Sequence, residues 1–194
     1  MRACAICAPH LPLGPNPIVR LQASNRILII SQAPGTHAHA ASRPFNDISG
    51  DRLRTWLGTP PEIFYGPYIG FMPMGLCYPG KGKTGKNPGD NPPRPECAPL
   101  WHNRLRSQLP NIKLTLLVGS YAQHFYLPEQ RKLTLANRCH VWMEEQGPII
   151  PMVHPSPRNL LWCKRNPWFE SEMIPLIQAK IRQILSEPAK VQII

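Results

Sequence analysis

The sequence has no apolar run near the roughly 18–20 residues that a bilayer-spanning helix requires, so no membrane-crossing segment is expected. Acidic residues are scarce: 11 Asp and Glu stand against 22 Lys and Arg, and charged residues of both signs make up only 17% of 194 positions. A disordered chain is excluded by the 42% of hydrophobic residues, because disorder goes with low hydrophobicity and high charge. Long unbroken helices, and coiled coils with them, are excluded by 25 prolines. The first residues, Met1 to Pro17, break on Pro and Gly before the apolar core of an export signal forms. A soluble, cytoplasmic, monomeric protein is expected. No internal repeat is visible, and the length suits one domain over 1–194.

The shortage of acid leaves a formal net charge of +11. An excess of this size suits a polyanionic partner, and nucleic acid is the first choice. The alternative is a basic surface that is merely solvated.

Cysteines stand at 4, 7, 77, 97, 139 and 163. Without an export signal, disulfides are not expected. Cys4 and Cys7 form a C-x2-C pair, able to hold one metal from two thiolates on a tight turn. Cys77 and Cys97 would complete a four-thiolate site for iron–sulfur or zinc. Otherwise these two are small buried hydrophobes and no metal binds. Cys139 and Cys163 lie singly and read as ordinary thiols.

Residues 1–25 form a Pro- and Cys-rich lead-in without periodicity. The run Ile27 to Ile30 reads as a strand buried on both faces. A helix is expected from Ser49, as its cap, to Leu57, with Gly58 ending it. An apolar segment covers 68–76, and 78–95 is a long Gly/Pro/Lys loop. A helix over 96–109, a strand from Ile112 to Val118 and a helix through Phe125 follow, with a weaker helical pattern over 131–145. Ile149 to Val153 reads as the fourth strand. Asn166 and Pro167 suit a helix start. Ile174, Ile177, Ile181 and Leu185 mark a final amphipathic helix, bent at Pro175. This alternation predicts an α/β fold: a three-layer α/β/α sandwich around a central, mainly parallel four-stranded sheet. Ligands bind such sheets at the carboxyl ends of the strands.

Two strand-end loops have the chemistry for that. The first reads Ser31-Gln32-Ala33-Pro34-Gly35 and leads to Arg43-Pro44-Phe45-Asn46-Asp47-Ile48-Ser49-Gly50. Phe45 is either a platform for a base or ordinary core packing. Asp47 is either a base that holds water or a helix-start residue. The second loop, His154-Pro155-Ser156-Pro157-Arg158-Asn159, is stiffened by two prolines. His154 can donate to charge developing on a leaving group. Ser156 and Arg158 can bind phosphate. A plain proline-rich turn is the alternative.

These three segments, in this order, resemble the uracil-DNA glycosylase superfamily over roughly residues 4–185. The closest likeness is to its iron–sulfur branch, which has a GEAPG-like first motif, a PF segment, an HPS motif after the last strand and cysteines in matching places. The resemblance implies a glycosylase that flips out uracil or another deaminated base from DNA and hydrolyses its N-glycosidic bond. It implies His154 and Asp47 as catalytic, Gln32, Ala33 and Phe45 as base-binding, and Ser156, Arg158, Lys81, Lys83 and Lys86 as DNA-binding. A [4Fe-4S] cluster on Cys4, Cys7, Cys77 and Cys97 is implied, with zinc or no metal as alternatives. The chain departs from the branch at Gln32, where the branch has Glu, and at Pro73, where the family tends to have Asn. Asp47 fits the D-x-S-G segment of another branch. Two further readings follow: a non-catalytic DNA-binding member, or a metal-clamped module for RNA or protein.

Overall fold

The structure is a computed structural model and describes residues 1–83 and 89–188. In chain order the elements are β1 (Ile27–Ile30), α1 (Thr36–Ala41), α2 (Ile48–Leu57), α3 (Pro61–Phe64), β2 (Ile69–Phe71), α4 (Cys97–Arg106), β3 (Leu114–Val118), α5 (Ser120–Tyr126), α6 (Leu135–Glu145), β4 (Ile149–Met152), α7 (Leu160–Arg165) and α8 (Ile174–Ser186). Among the described residues no helix is long and apolar enough to cross a membrane.

The four strands pair in parallel in the order β2-β1-β3-β4. Successive side chains on a strand point to opposite faces, and both faces are covered. Ile27, Ile29, Leu116 and Val118 pack with α2, α6 and α8 through Leu53, Trp56, Trp142 and Ile177. Leu28, Ile30 and Leu117 pack on the other side with Ala98 of α4 and Ala122 of α5. The predicted three-layer α/β/α sandwich is therefore present. The lead-in adds an antiparallel contact, where Arg20 bridges Phe71 at the β2 edge and the Ile18 N–H reaches the Leu76 carbonyl at 2.7 Å. Pro151, which cannot donate to a ladder, lies on the edge strand β4.

Several local expectations are corrected. Ser49 does not cap α2. Asp47, in extended conformation, does so by accepting from the Gly50 N–H at 2.9 Å. A helical segment does start at Asn166 and Pro167, whose carbonyls accept from the Phe169 and Glu170 N–H groups at 3.1 Å each, but the Asn166 side chain does not cap it and instead donates back to the Trp162 carbonyl at 2.9 Å, at the end of α7. The distortion expected at Pro175 falls one turn earlier, in the π-helical turn Phe169–Met173. Pro175 itself is the second residue of α8, directly after this π turn, where the regular ladder of the helix is already interrupted. The buried stripe of α8 ends on Ile184, and Leu185 packs only at its margin.

The strand ends that carry the loops are tied by one buried side chain. Gln123 of α5 donates to the carbonyls of Leu117 at 3.2 Å and Met152 at 2.9 Å, while its own oxygen accepts from Arg138 at 3.0 Å. Arg138 is buried and also donates to the Gln130 carbonyl at 3.1 Å. Replacing Gln123 by Leu removes three buried hydrogen bonds at about 1 kcal/mol each, while the Met152 carbonyl keeps the Gly119 N–H at 3.0 Å and Arg138 keeps the Gln130 carbonyl. Gln123→Leu is expected to lower the unfolding free energy by about 3 kcal/mol or more, read by urea denaturation.

Candidate functional site

The carboxyl ends of the parallel strands meet at a cavity of about 410 Å³, which both predicted loops line. Gln32, Ala33, Phe45, Asp47, His154, Ser156 and Arg158 all border it, so these site residues are brought together. Lys81 lies beside it, opposite Asp90 in an isolated antiparallel bridge. Lys83 is exposed just beyond, and Lys86 lies outside the described residues.

Phe45 lies between core and cavity. Its ring packs on Phe64 and Phe71, with centroids 6.2 and 6.1 Å away, and also borders the cavity. Its backbone is left-handed, at φ 53°, which an aromatic residue rarely adopts. Such strain costs about 1–3 kcal/mol and persists only where neighbours impose it. Here the Tyr65 hydroxyl lies 3.0 Å from the Pro44 carbonyl and 3.1 Å from that of Phe45. The Arg43 guanidinium stacks on the Tyr65 ring at 3.7 Å. Burial raises the Tyr65 pKa, which keeps its hydroxyl a donor, although Arg43 and Arg54 pull it the other way. Gly50 completes the turn: a Cβ there would stand 1.8 Å from the Phe45 carbonyl oxygen.

Asp47 likewise has two duties. One carboxylate oxygen caps α2 through Gly50, and the residue borders the cavity. The sequence alternatives of site residue and helix-start residue are therefore compatible.

His154 follows β4 directly. The Ser156 N–H points at its Nδ1 at 3.2 Å, so Nδ1 accepts and the neutral ring carries its proton on Nε2. The Asn159 amide holds the His154 carbonyl at 2.8 Å. Burial lowers the His154 pKa, against the pull of Asp47. The ring is thus a neutral donor near pH 7. Gly119, at φ 91° after β3, leaves room for it; a Cβ there would stand 3.4 Å from the His154 Cβ.

Gln32 contributes less backbone than expected, because its carbonyl already accepts from the Gly75 N–H at 2.9 Å. Pro73 borders the cavity where an Asn was sought, and its carbonyl lies 3.1 Å from Nε2 of buried His102. Sequence reasoning missed Asp90 and Tyr121, both on the cavity wall. The signals were present. Asp90 is the one acidic residue in the basic stretch 78–95, and Tyr121 follows the end of β3.

A second, smaller cavity gathers Cys4, Cys7, Cys77 and Cys97, all free thiols and all half-buried. The Leu76 N–H donates to the Cys97 sulfur at 3.3 Å. Burial raises the Cys97 pKa to about 11 and shifts Cys77 the same way. Among the described residues no group of three or more His, Cys, Asp or Glu side chains is arranged to hold a metal ion. Cys139 and Cys163 are buried, as expected of ordinary thiols.

The turn makes a direct prediction. Gly50→Ala should displace the Phe45 carbonyl and release the strained conformation, since the clash is with backbone. Loss of thermal stability and an altered environment of Phe45 in NMR spectra are the expected readouts. An unchanged Phe45 would overturn this account of the turn.

A solution NMR structure of a candidate uracil DNA glycosylase from Methanosarcina acetivorans is similar at 16% identity, covering 82% of this chain and 92% of that one with a TM-score of 0.48. The model of the Uracil DNA glycosylase superfamily matches residues 19–178, a span that takes in both strand-end loops and His154. The chain belongs to the uracil DNA glycosylase superfamily.

Proposed function

We propose that this protein is a DNA base-excision glycosylase that hydrolyses the N-glycosidic bond of uracil or another deaminated base. The observation that carries the reading is His154, a neutral ring with its proton held on Nε2, in one cavity with Phe45 and Asp47. Breaking the bond between sugar and base leaves positive charge on the sugar and negative charge on the base. The target base is out of reach inside the duplex, so it must be flipped out. The cavity is of ligand-binding size, and Phe45 offers a stacking face. His154 Nε2–H would hold the departing base as its charge grows, a contribution of about 2.7–4 kcal/mol for one donor of this kind. Asp47 would orient the attacking water and offset the charge on the sugar.

Around the mouth, Ser156, Arg158, Lys81 and Lys83 suit phosphate contacts, in keeping with the net charge of +11. Leu160 and Leu161, exposed immediately after the His154 loop, suit a wedge against the base stack. A non-catalytic DNA-binding role is the second reading. It is favoured by Gln32 and Pro73, which leave the wall without the expected carboxylate and amide.

We propose that the four thiols of the smaller cavity hold a cluster, although among the described residues no three such side chains are placed to hold a single metal ion. Four free cysteines with no disulfide among them are a donor set for [4Fe-4S], one thiolate to each iron. A zinc ion instead needs all its ligands at about 2.0–2.3 Å from a single centre. Cys4, Cys7, Cys77 and Cys97 would hold the cluster, and its contribution would be structural. It would fasten the lead-in to α4.

Two experiments test these proposals. Oligonucleotides bearing uracil, hypoxanthine or xanthine should lose that base to the wild-type protein, leaving an abasic site. His154→Ala should slow cleavage about a hundredfold or more with little change in DNA affinity. Absence of cleavage on the whole panel, with salt-dependent DNA binding retained, would support the non-catalytic reading instead. For the cluster, anaerobically purified protein should be brown and carry about four iron and four sulfide per chain. Colourless, folded, metal-free protein would remove the cluster.

A further inference from the structure

The 78–95 loop has a structured base. The Gly82 N–H donates to the Gly89 carbonyl at 2.7 Å, the Asn91 N–H to the Gly80 carbonyl at 2.8 Å, and Lys81 and Asp90 form the bridge between them. The Asn91 side chain closes the far side, reaching the carbonyls of Pro79 at 3.1 Å and Lys81 at 3.2 Å. Asp90 is thus pinned on both sides, with its side chain at the cavity mouth.

Gly35, after β1, shows where that side chain points. A Cβ built on Gly35 would stand 3.4 Å from Asp90 Oδ2 and 3.9 Å from Asp47 Oδ2. The two carboxylates therefore border the same small space, kept open by the missing side chain of Gly35. They are not equivalent. Asp47 has one oxygen engaged by the Gly50 N–H. Asp90 is not needed to cap a helix, and it faces Tyr78, Lys81, Arg158 and Asp47. The Arg158 guanidinium lies against neighbouring Gly89, 3.3 Å from where a Cβ would stand.

We propose that Asp90 is the carboxylate that accepts the proton of the attacking water, with Asp47 beside it holding that water and balancing the charge on the sugar. The inference rests on the glycosylase reading above and adds a residue to it. The water oxygen bonds to sugar C1′ as the bond from C1′ to the base nitrogen breaks. The bonding pair leaves with the base, whose negative charge is held by His154 Nε2–H. The water proton passes to Asp90. Partial burial, aided by the negative charge of Asp47, raises the Asp90 pKa and so its basicity, while Lys81, Tyr78 and Arg158 restrain the rise.

The test uses the full chain and whichever lesion the wild-type protein cleaves best among uracil, hypoxanthine and xanthine. In single-turnover assays Asp90→Asn should slow cleavage about a hundredfold or more, and by more than Asp47→Asn. Its affinity for an oligonucleotide with a stable abasic-site analogue, and its melting temperature, should stay near wild type. The wild-type rate should fall on the acid side as Asp90 takes up a proton. Lys81→Gln removes a charge that holds the Asp90 pKa down, so it should move this acid limb to higher pH. A loss for Asp90→Asn no greater than for Asp47→Asn, or an unmoved acid limb in Lys81→Gln, overturns the role of Asp90 and leaves the glycosylase reading standing. Failure of the wild-type protein to cleave any lesion overturns both.

Discussion

All four strands run the same way, and their parallel pairing is the constraint from which the cavity follows. A parallel sheet must be covered on both faces, so the chain returns through helices and issues every loop of one kind at one edge. The segments after β1, β3 and β4 are distant in sequence but share that edge. Gln32, Tyr121 and His154 meet there because of strand direction. Gln123 then fixes how far apart the ends of β3 and β4 stand, by bonding to a carbonyl of each. Its bond to Met152, two residues before His154, makes a polar core residue part of the site's foundation.

Much of this was legible in the sequence, for a physical reason. A strand buried on both faces has to be apolar throughout, and Ile27 to Ile30 is unmistakable on that ground. The loops were legible through stiffness and residue type: two prolines around Ser156 announce a fixed turn bearing His154. The short helices α1, α3 and α7 were not, because six, four and six residues are too few to display a 3.6-residue period. The N-cap of α2 was misread by two residues. Ser49 and Asp47 are both good caps, and only the approach of Gly50 to Phe45 decides between them.

Asp90 illustrates the harder limit. Its segment has no periodicity, and its position depends on pairing between Gly80 and Asn91 and on an empty place above Gly35. Neither is written locally. Phe45 illustrates the opposite. The sequence left core packing and base stacking as alternatives, and the ring lies where both can be served, packed at the margin of the core and bordering the cavity. Residues on the boundary between core and cavity cannot be assigned to one class by composition, because they are selected by both environments.

Helix α4 links the two cavities. It starts at Cys97, in the wall of the thiol cavity, and carries His102 into the buried space behind Pro73. The Pro73 carbonyl can only accept, so His102 Nε2 donates and Nδ1 accepts from the Tyr126 hydroxyl at 2.7 Å. Burial lowers the His102 pKa from 6.5 to about 4, so the unfolded chain takes up this proton before the folded one does. The stability that depends on a neutral His102 is intact above 6.5 and drains away as the pH falls from there towards 4. Mild acid therefore draws on stability at the back of the cavity wall, where α4 is fastened to Pro73 through a histidine that must stay neutral.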